Sequence, residues 1–231
     1  MEIPAIKSKL YQKNKKHFTH ELDEILKTVG VAQIDGMNDE FVDKLYTEAK
    51  DFPKRAGRSR GEQYYQDIFS FSMSSQIPDS IWISSNYISP KTRTVNLIGR
   101  IKKRFSDAAE IVADSLTSLY GEVEKPEELL LLRYRKGSQL CPSIKKKKCR
   151  KIMLDAHTDH NYFMLAAKSS HEGLEGYVQK QWVSLQPEEG NFLIMPCTRL
   201  ETISDEKIKA LPHRVMAPQP ENSTRYAFMC Y

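Results

Sequence analysis

Residues 162–195 read YFMLAAKSSHEGLEGYVQKQWVSLQPEEGNFLIM, and this stretch decides the fold class. It holds four short apolar or alternating runs: Tyr162–Ala167, Leu174–Val178, Trp182–Leu185 and Phe192–Met195. The turn-forming residues Glu172-Gly173 and Pro187-Glu188-Glu189-Gly190 separate them. Short runs punctuated by turns at this spacing are the pattern of an all-β sandwich or barrel. The same rhythm continues in Leu129–Tyr134 and Ile152–Ala156 upstream, and in Val215–Ala217 and Arg225–Cys230 downstream.

The N-terminal half has a different period. Phe18, Leu22, Ile25, Leu26 and Val29 lie on one face of a predicted helix that stops at Gly30. A second helix opens at Asn38 as its cap, buries Phe41, Val42, Leu45, Ala49 and Phe52, and ends before Pro53. A third carries the stripe Ile98, Ile101, Phe105, Ala108, Val112, Leu116 and Leu119 up to Gly121. All three stripes are read as scaffold facing a core. The expected organisation is therefore a single domain over 1–231, with a helical part (1–127) that includes a few strands, packed on a β-core (128–231).

With 231 residues, 40% of them apolar and 28% charged, the composition is that of one ordinary globular domain. No apolar run reaches the ~20 residues of a membrane-spanning helix, and Met1-Glu2-Ile3-Pro4 does not open a secretory signal. Cys141, Cys149, Cys197 and Cys230 lack CxxC spacing and are read as reduced thiols, so the expected location is cytoplasmic. The net charge of +5 is local: nine cations and no acid lie between Arg133 and Lys151, which leaves the remainder of the chain at −4.

The segment Asp155-Ala156-His157-Thr158-Asp159-His160 carries the chemistry. On a strand, residues i and i+2 share a face, so His157 and Asp159 can bind one ion together. His213, 54 residues after Asp159 in the strand-like Pro212-His213-Arg214-Val215, is the candidate third ligand. Two histidines and a carboxylate with open positions opposite are the ligand set of non-haem Fe(II) oxygenases. A lone His-x-Asp is more often a hydrogen-bonded pair than a metal site, so the motif does not decide the matter alone. His160 and His171 are read as structural or exposed.

The sequence around the motif resembles the isopenicillin N synthase-like branch of the 2-oxoglutarate/Fe(II)-dependent oxygenases. Gly30-Val31-Ala32-Gln33-Ile34-Asp35-Gly36 is similar to the family's early strand, and His157-Thr158-Asp159 to its first metal motif. Gly173–Val178, Trp182-Val183 with Pro187, Gly190–Ile194, Leu200-Glu201 and His213-Arg214-Val215 follow in the family's order. The resemblance implies a mainly β fold with N-terminal helices, built on a double-stranded β-helix (jelly-roll, cupin-like) core. It also implies a dioxygenase that uses Fe(II), 2-oxoglutarate and O2 to oxidise a C–H bond, by hydroxylation or a related reaction, with release of succinate and CO2. In that family an Arg in Arg-x-Ser holds the far carboxylate of the cosubstrate. Arg225, 12 residues past His213, takes that place, and Tyr134 takes the place of a tyrosine that helps.

There are departures. The family's Ser is Ala227 here, at a cost of about 1 kcal/mol for one neutral hydrogen bond. The family's Pro-rich segment is replaced by Arg135-Lys136-Gly137-Ser138 and the Lys145–Lys148 run, and the family's C-terminal helix has no counterpart. A more open mouth would suit a bulky substrate presented by another macromolecule or a covering partner chain; a small-molecule substrate is the other expectation. The basic segment either steers an anionic substrate or partner or is a solvated loop. Nucleic acid is disfavoured, because no aromatics interleave with the cations, and no membrane partner is expected. Two alternatives stay open: a cosubstrate-independent Fe(II) oxidase, and a catalytically silent binding protein on the same scaffold.

Overall fold

The computed structural model describes residues 2–37, 39–51, 66–72, 81–83, 86–88, 92–134, 152–217 and 223–231. The proposed Asn38 cap, Phe52, Pro53, Cys141, Cys149 and the Lys145–Lys148 run lie outside these residues. The helices are α1 (Ser8–Lys13), α2 (Lys15–Thr28), α3 (Asp39–Glu48), α4 (Thr92–Tyr120) and α5 (Thr198–Ile203). The strands are β1 (Ala5–Ile6), β2 (Ala32–Asp35), β3 (Gln66–Ser72), β4 (Ile81–Ile83), β5 (Asn86–Ile88) and β6 (Glu128–Tyr134). After them come β7 (Ile152–His157), β8 (Phe163–Ala166), β9 (Leu174–Val178), β10 (Gln181–Ser184), β11 (Asn191–Pro196), β12 (His213–Met216) and β13 (Arg225–Cys230).

The helices form where the apolar stripes predict them. Asn14 caps α2 by accepting from the His17 N–H at 3.1 Å. Gly30 and Gly121 end α2 and α4 with φ of +82° and +91°, a turn that a residue with a Cβ makes only under strain. One expectation fails at the tail of α4: Leu119, in the last turn, is 45% exposed. Phe41 is half-buried rather than buried.

The strands form two facing sheets, the double-stranded β-helix arrangement. The larger has the order β1-β2-β11-β8-β13-β6-β3-β4-β5 and the smaller β10-β9-β12-β7, antiparallel except for the short β1–β2 pair. The central strands of the larger sheet bury both faces, which is why their sequences read as continuous apolar runs. Phe163, Leu165, Phe192, Ile194, Leu129, Leu131, Tyr226 and Phe228 face the layer of α2, α3 and α4. The alternate residues Met164, Ala166, Leu193 and Met195, together with Leu132, Tyr134, Ala227 and Met229, face the smaller sheet. That second face is the one on which the site is built.

Arg133 follows the helix-facing parity. It is buried, and its Nη1 donates to the carbonyl of Ala49 at 3.1 Å, just past the end of α3. It therefore does not belong with the cations of the basic segment at a cavity rim. Among the described residues no helix is long and apolar enough to cross a membrane.

Phe105 is the pin between α4 and the larger sheet: fully buried, it meets Phe192 and Phe228 edge-on, with ring centroids 4.7 and 5.6 Å away. Phe105→Ala is expected to lower unfolding free energy by about 3–5 kcal/mol in urea denaturation.

Candidate metal centre

β7 and β12 are hydrogen-bonded neighbours, and their register sets His157 directly opposite His213. The ring centroids are 4.3 Å apart. The pairing is irregular beside them: Val215 lies opposite Leu154, so β7 spends one residue more than β12 over this interval. Such a bulge re-aims the side chain that follows it. Arg214, between the two inward residues of β12, points the other way. It donates to Glu175 Oε2 at 2.9 and 2.7 Å and stacks 4.1 Å over Trp182, locking β12 to β9 and β10.

Asp159 departs from the strand argument. β7 ends at His157, and Asp159 lies in the loop that follows. That loop is pinned by the start of α5: the Thr198 N–H donates to the Asp159 carbonyl at 3.0 Å, and the Arg199 N–H to that of Asn161 at 3.2 Å. At the other end of α5, Glu201 accepts from the Ala210 N–H at 3.0 Å and steers the chain towards His213. Sequence reasoning missed this clamp, because loop-to-helix hydrogen bonds leave no periodic trace. His160 is exposed, as expected, and contacts Thr198 Oγ1 at 3.2 Å.

The three candidate ligands offer one atom each, all within 4.8 Å of one another. Asp159 Oδ1 is 3.7 Å from His157 Nε2, and its Oδ2 is 3.4 Å from His213 Nε2. Each imidazole presents Nδ1 to a backbone carbonyl, Asp155 O at 2.8 Å for His157 and Leu211 O at 3.1 Å for His213. A carbonyl can only accept, so Nδ1 carries the proton and Nε2 turns a lone pair towards Asp159. Burial disfavours protonation of His213, the nearby His157 adds to this, and Asp159 opposes it; the net effect is a lowered pKa. Two imidazole lone pairs and a carboxylate converging on one point are a donor set that fits a divalent cation.

The ligand atoms open into a cavity of about 160 Å³ between the sheets, walled by Leu130, Leu132, Leu154, Leu174 and Val215. Arg225 and Tyr134, cross-strand partners on β13 and β6, lie in the same wall. Arg225 is 2% exposed, its Nε donates to the His171 carbonyl at 3.1 Å, and its Cζ sits 5.2 Å from the centre of the Tyr134 ring. Its Nη1 is buried with no hydrogen-bond partner. Among the described residues no carboxylate pairs with it. An unneutralised buried guanidinium costs several kcal/mol, so this corner of the cavity fits a ligand carboxylate. Ala227 lines the same wall and brings no hydroxyl.

Residues 126–230 match the family described as the 2OG-Fe(II) oxygenase superfamily. The match spans a little under half of the chain. The match, together with the convergent His157, Asp159 and His213 atoms, indicates a 2-oxoglutarate/Fe(II)-dependent dioxygenase, with Fe(II) as its metal and 2-oxoglutarate and O2 as cosubstrates. Solved structures agree on the fold. The dioxygenase for auxin oxidation 1 from Arabidopsis thaliana, in its 2-oxoglutarate binary complex, is 14% identical with a TM-score of 0.72, over 100% of this chain and 92% of that one. A full-length Neurospora crassa protein in complex with 2-oxoglutarate is 14% identical with a TM-score of 0.68, over 99% and 84%. The rice dioxygenase for auxin oxidation is 16% identical with a TM-score of 0.70, over 100% and 82%. Comparison with curated proteins gives no match.

Gly173 packs its backbone against Arg225. Gly173 has φ +148°, and a Cβ there would lie 2.7 Å from the Met216 carbonyl and 3.3 Å from both Cδ and Nε of Arg225. Gly173→Ala should destabilise the fold by about 1–3 kcal/mol, read from the urea midpoint, through backbone strain and overpacking against Arg225.

Proposed function

We propose that His157, Asp159 and His213 hold the iron, and that Arg225, beside Tyr134, takes the far carboxylate of 2-oxoglutarate. The observation that carries this is the buried, unpartnered Nη1 of Arg225, in the same cavity as the three convergent ligand atoms. A cosubstrate-free oxidase has no use for such a group, which favours the 2-oxoglutarate reading despite Ala227. The order of the matched motifs supports the isopenicillin N synthase-like branch, with 1–231 acting as one oxygenase unit. In support of that unit, β2 from the N-terminal part pairs with β11 of the core.

Iron with 2-oxoglutarate supplies oxidative decarboxylation coupled to C–H oxidation, with succinate and CO2 released. The chain's own residues prepare for it. Asp155 and Leu211 hold the imidazoles so that each Nε2 is a donor to the metal. The Leu and Val wall keeps the chamber apolar, which strengthens every charge interaction inside it. The Arg225 guanidinium orients the cosubstrate through its far end and leaves the keto-acid end to the metal.

The substrate is read as a small molecule that undergoes hydroxylation or a related oxidation. Related folds act on or bind such molecules: the auxin-oxidation dioxygenases by their description, and the Neurospora crassa protein in its complex with thymine. An anionic or macromolecule-borne substrate would draw on the cations between Arg135 and Lys151, since Arg133 is turned into the helix layer.

Anaerobic titration of the apo-protein with Fe(II) and then 2-oxoglutarate should produce a weak visible charge-transfer band. His157→Ala is expected to lose iron binding. Arg225→Ala should keep iron and weaken 2-oxoglutarate about 10–100-fold, the worth of a charged hydrogen-bonding group. Iron binding without the band would favour the cosubstrate-free oxidase; no iron binding would overturn the metal assignment.

A further inference from the structure

The guanidinium of Arg225 can present Nη1 to a ligand only if its Nε end is fixed. That end rests on one acceptor, the carbonyl of His171. The same carbonyl accepts from the Ser169 hydroxyl at 2.7 Å. Ser169 is only 7% exposed and lines the metal cavity. Gln186 braces it from β10's far end: Gln186 Nε2 donates to the Ser169 carbonyl at 3.2 Å, and its Oε1 is 3.1 Å from Ser169 Oγ. The flanks of this loop are held as well. The Tyr226 N–H donates to Ser170 Oγ at 2.8 Å, and Tyr46 donates to the Lys168 carbonyl at 2.9 Å.

A buried hydroxyl beside an apolar chamber, reciprocally bonded to a half-buried amide, is costly to place there unless it is satisfied and used. The hydroxyl is satisfied by the carbonyl that anchors Arg225, and the amide by Ser169 itself. The wall has no hydroxyl at Ala227, and among the described lining residues Ser169 carries the one aliphatic hydroxyl.

We propose that Ser169, braced by Gln186, is a positioning residue that acts through the His171 carbonyl on Arg225, and that it makes the site selective for a 2-oxo acid with a second, distal carboxylate. This rests on the assignment of Arg225 to 2-oxoglutarate. Loss of the Ser169 hydroxyl leaves the His171 carbonyl free to tilt. The guanidinium then loses its fixed fork, while the metal end of the cosubstrate is untouched.

The test uses the full chain loaded with Mn(II), which permits binding without turnover. Calorimetric affinities are measured for 2-oxoglutarate and for 2-oxobutyrate, a 2-oxo acid without the distal carboxylate. Ser169→Ala is expected to weaken 2-oxoglutarate about 5–20-fold, the worth of one buried hydrogen bond, and to leave 2-oxobutyrate within twofold. Gln186→Leu should show the same asymmetry with a smaller loss. Equal weakening of both ligands, or unchanged selectivity, would overturn the positioning role. A wild-type protein with no preference for 2-oxoglutarate over 2-oxobutyrate would instead overturn the role given to Arg225, and this proposal with it.

Discussion

The antiparallel pairing of β7 with β12 is the constraint from which the site follows. Side chains on a strand alternate between faces, so a slip of one residue would send either His157 or His213 to the outside of the smaller sheet. The register is held from the solvent side by Arg214, through Glu175 and Trp182, and is interrupted on the β7 side by a bulge next to His157. An outward ion pair thus supports an inward ligand pair. The His-Arg-Val order of β12 is the one-dimensional record of that division.

The second organising fact is a charge in an apolar chamber. The larger sheet buries both faces, one against helices and one against the smaller sheet, and Arg225 sits on the inward parity of β13 among Ala227 and Met229. Water would normally solvate a guanidinium, and among the described residues no carboxylate replaces it. The backbone takes part of the load through the His171 carbonyl, and the aromatic face of Tyr134 takes another part. Nη1 is left without a partner among the described residues, on a side chain that lines the same cavity as the convergent atoms of the candidate metal centre. On the proposed reading, a dicarboxylate spanning the two would answer both demands at once.

Much of this is legible in one dimension. The turn-punctuated apolar runs mark the strands of both sheets from β6 to β13, and the helical stripes mark α2, α3 and α4. His157, Asp159, His213, Arg225 and Tyr134 are all nominated by sequence, and the structure brings all five to one cavity. The errors have physical causes. Asp159 reaches the ligand cluster from a loop rather than a strand, because hydrogen bonds from α5 hold it there. Leu119 falls in the last turn of α4, at the end of the helix, and is exposed there. Arg133 counts with its charged neighbours in sequence, although strand parity sends it to the helix layer.

Periodicity and motif order by themselves determined most of the elements and nominated the candidate chemistry-bearing residues, because side-chain alternation and turn chemistry are local properties of the chain. The tertiary structure alone decided which donors point at each other and which polar groups end up unpartnered. The clamp on the Asp159 loop, the tautomers favoured by Asp155 and Leu211, and the Ser169–His171–Arg225 contact all join residues by hydrogen bonds to backbone atoms. Every residue carries those atoms alike, so no choice of side chain announces them in the sequence.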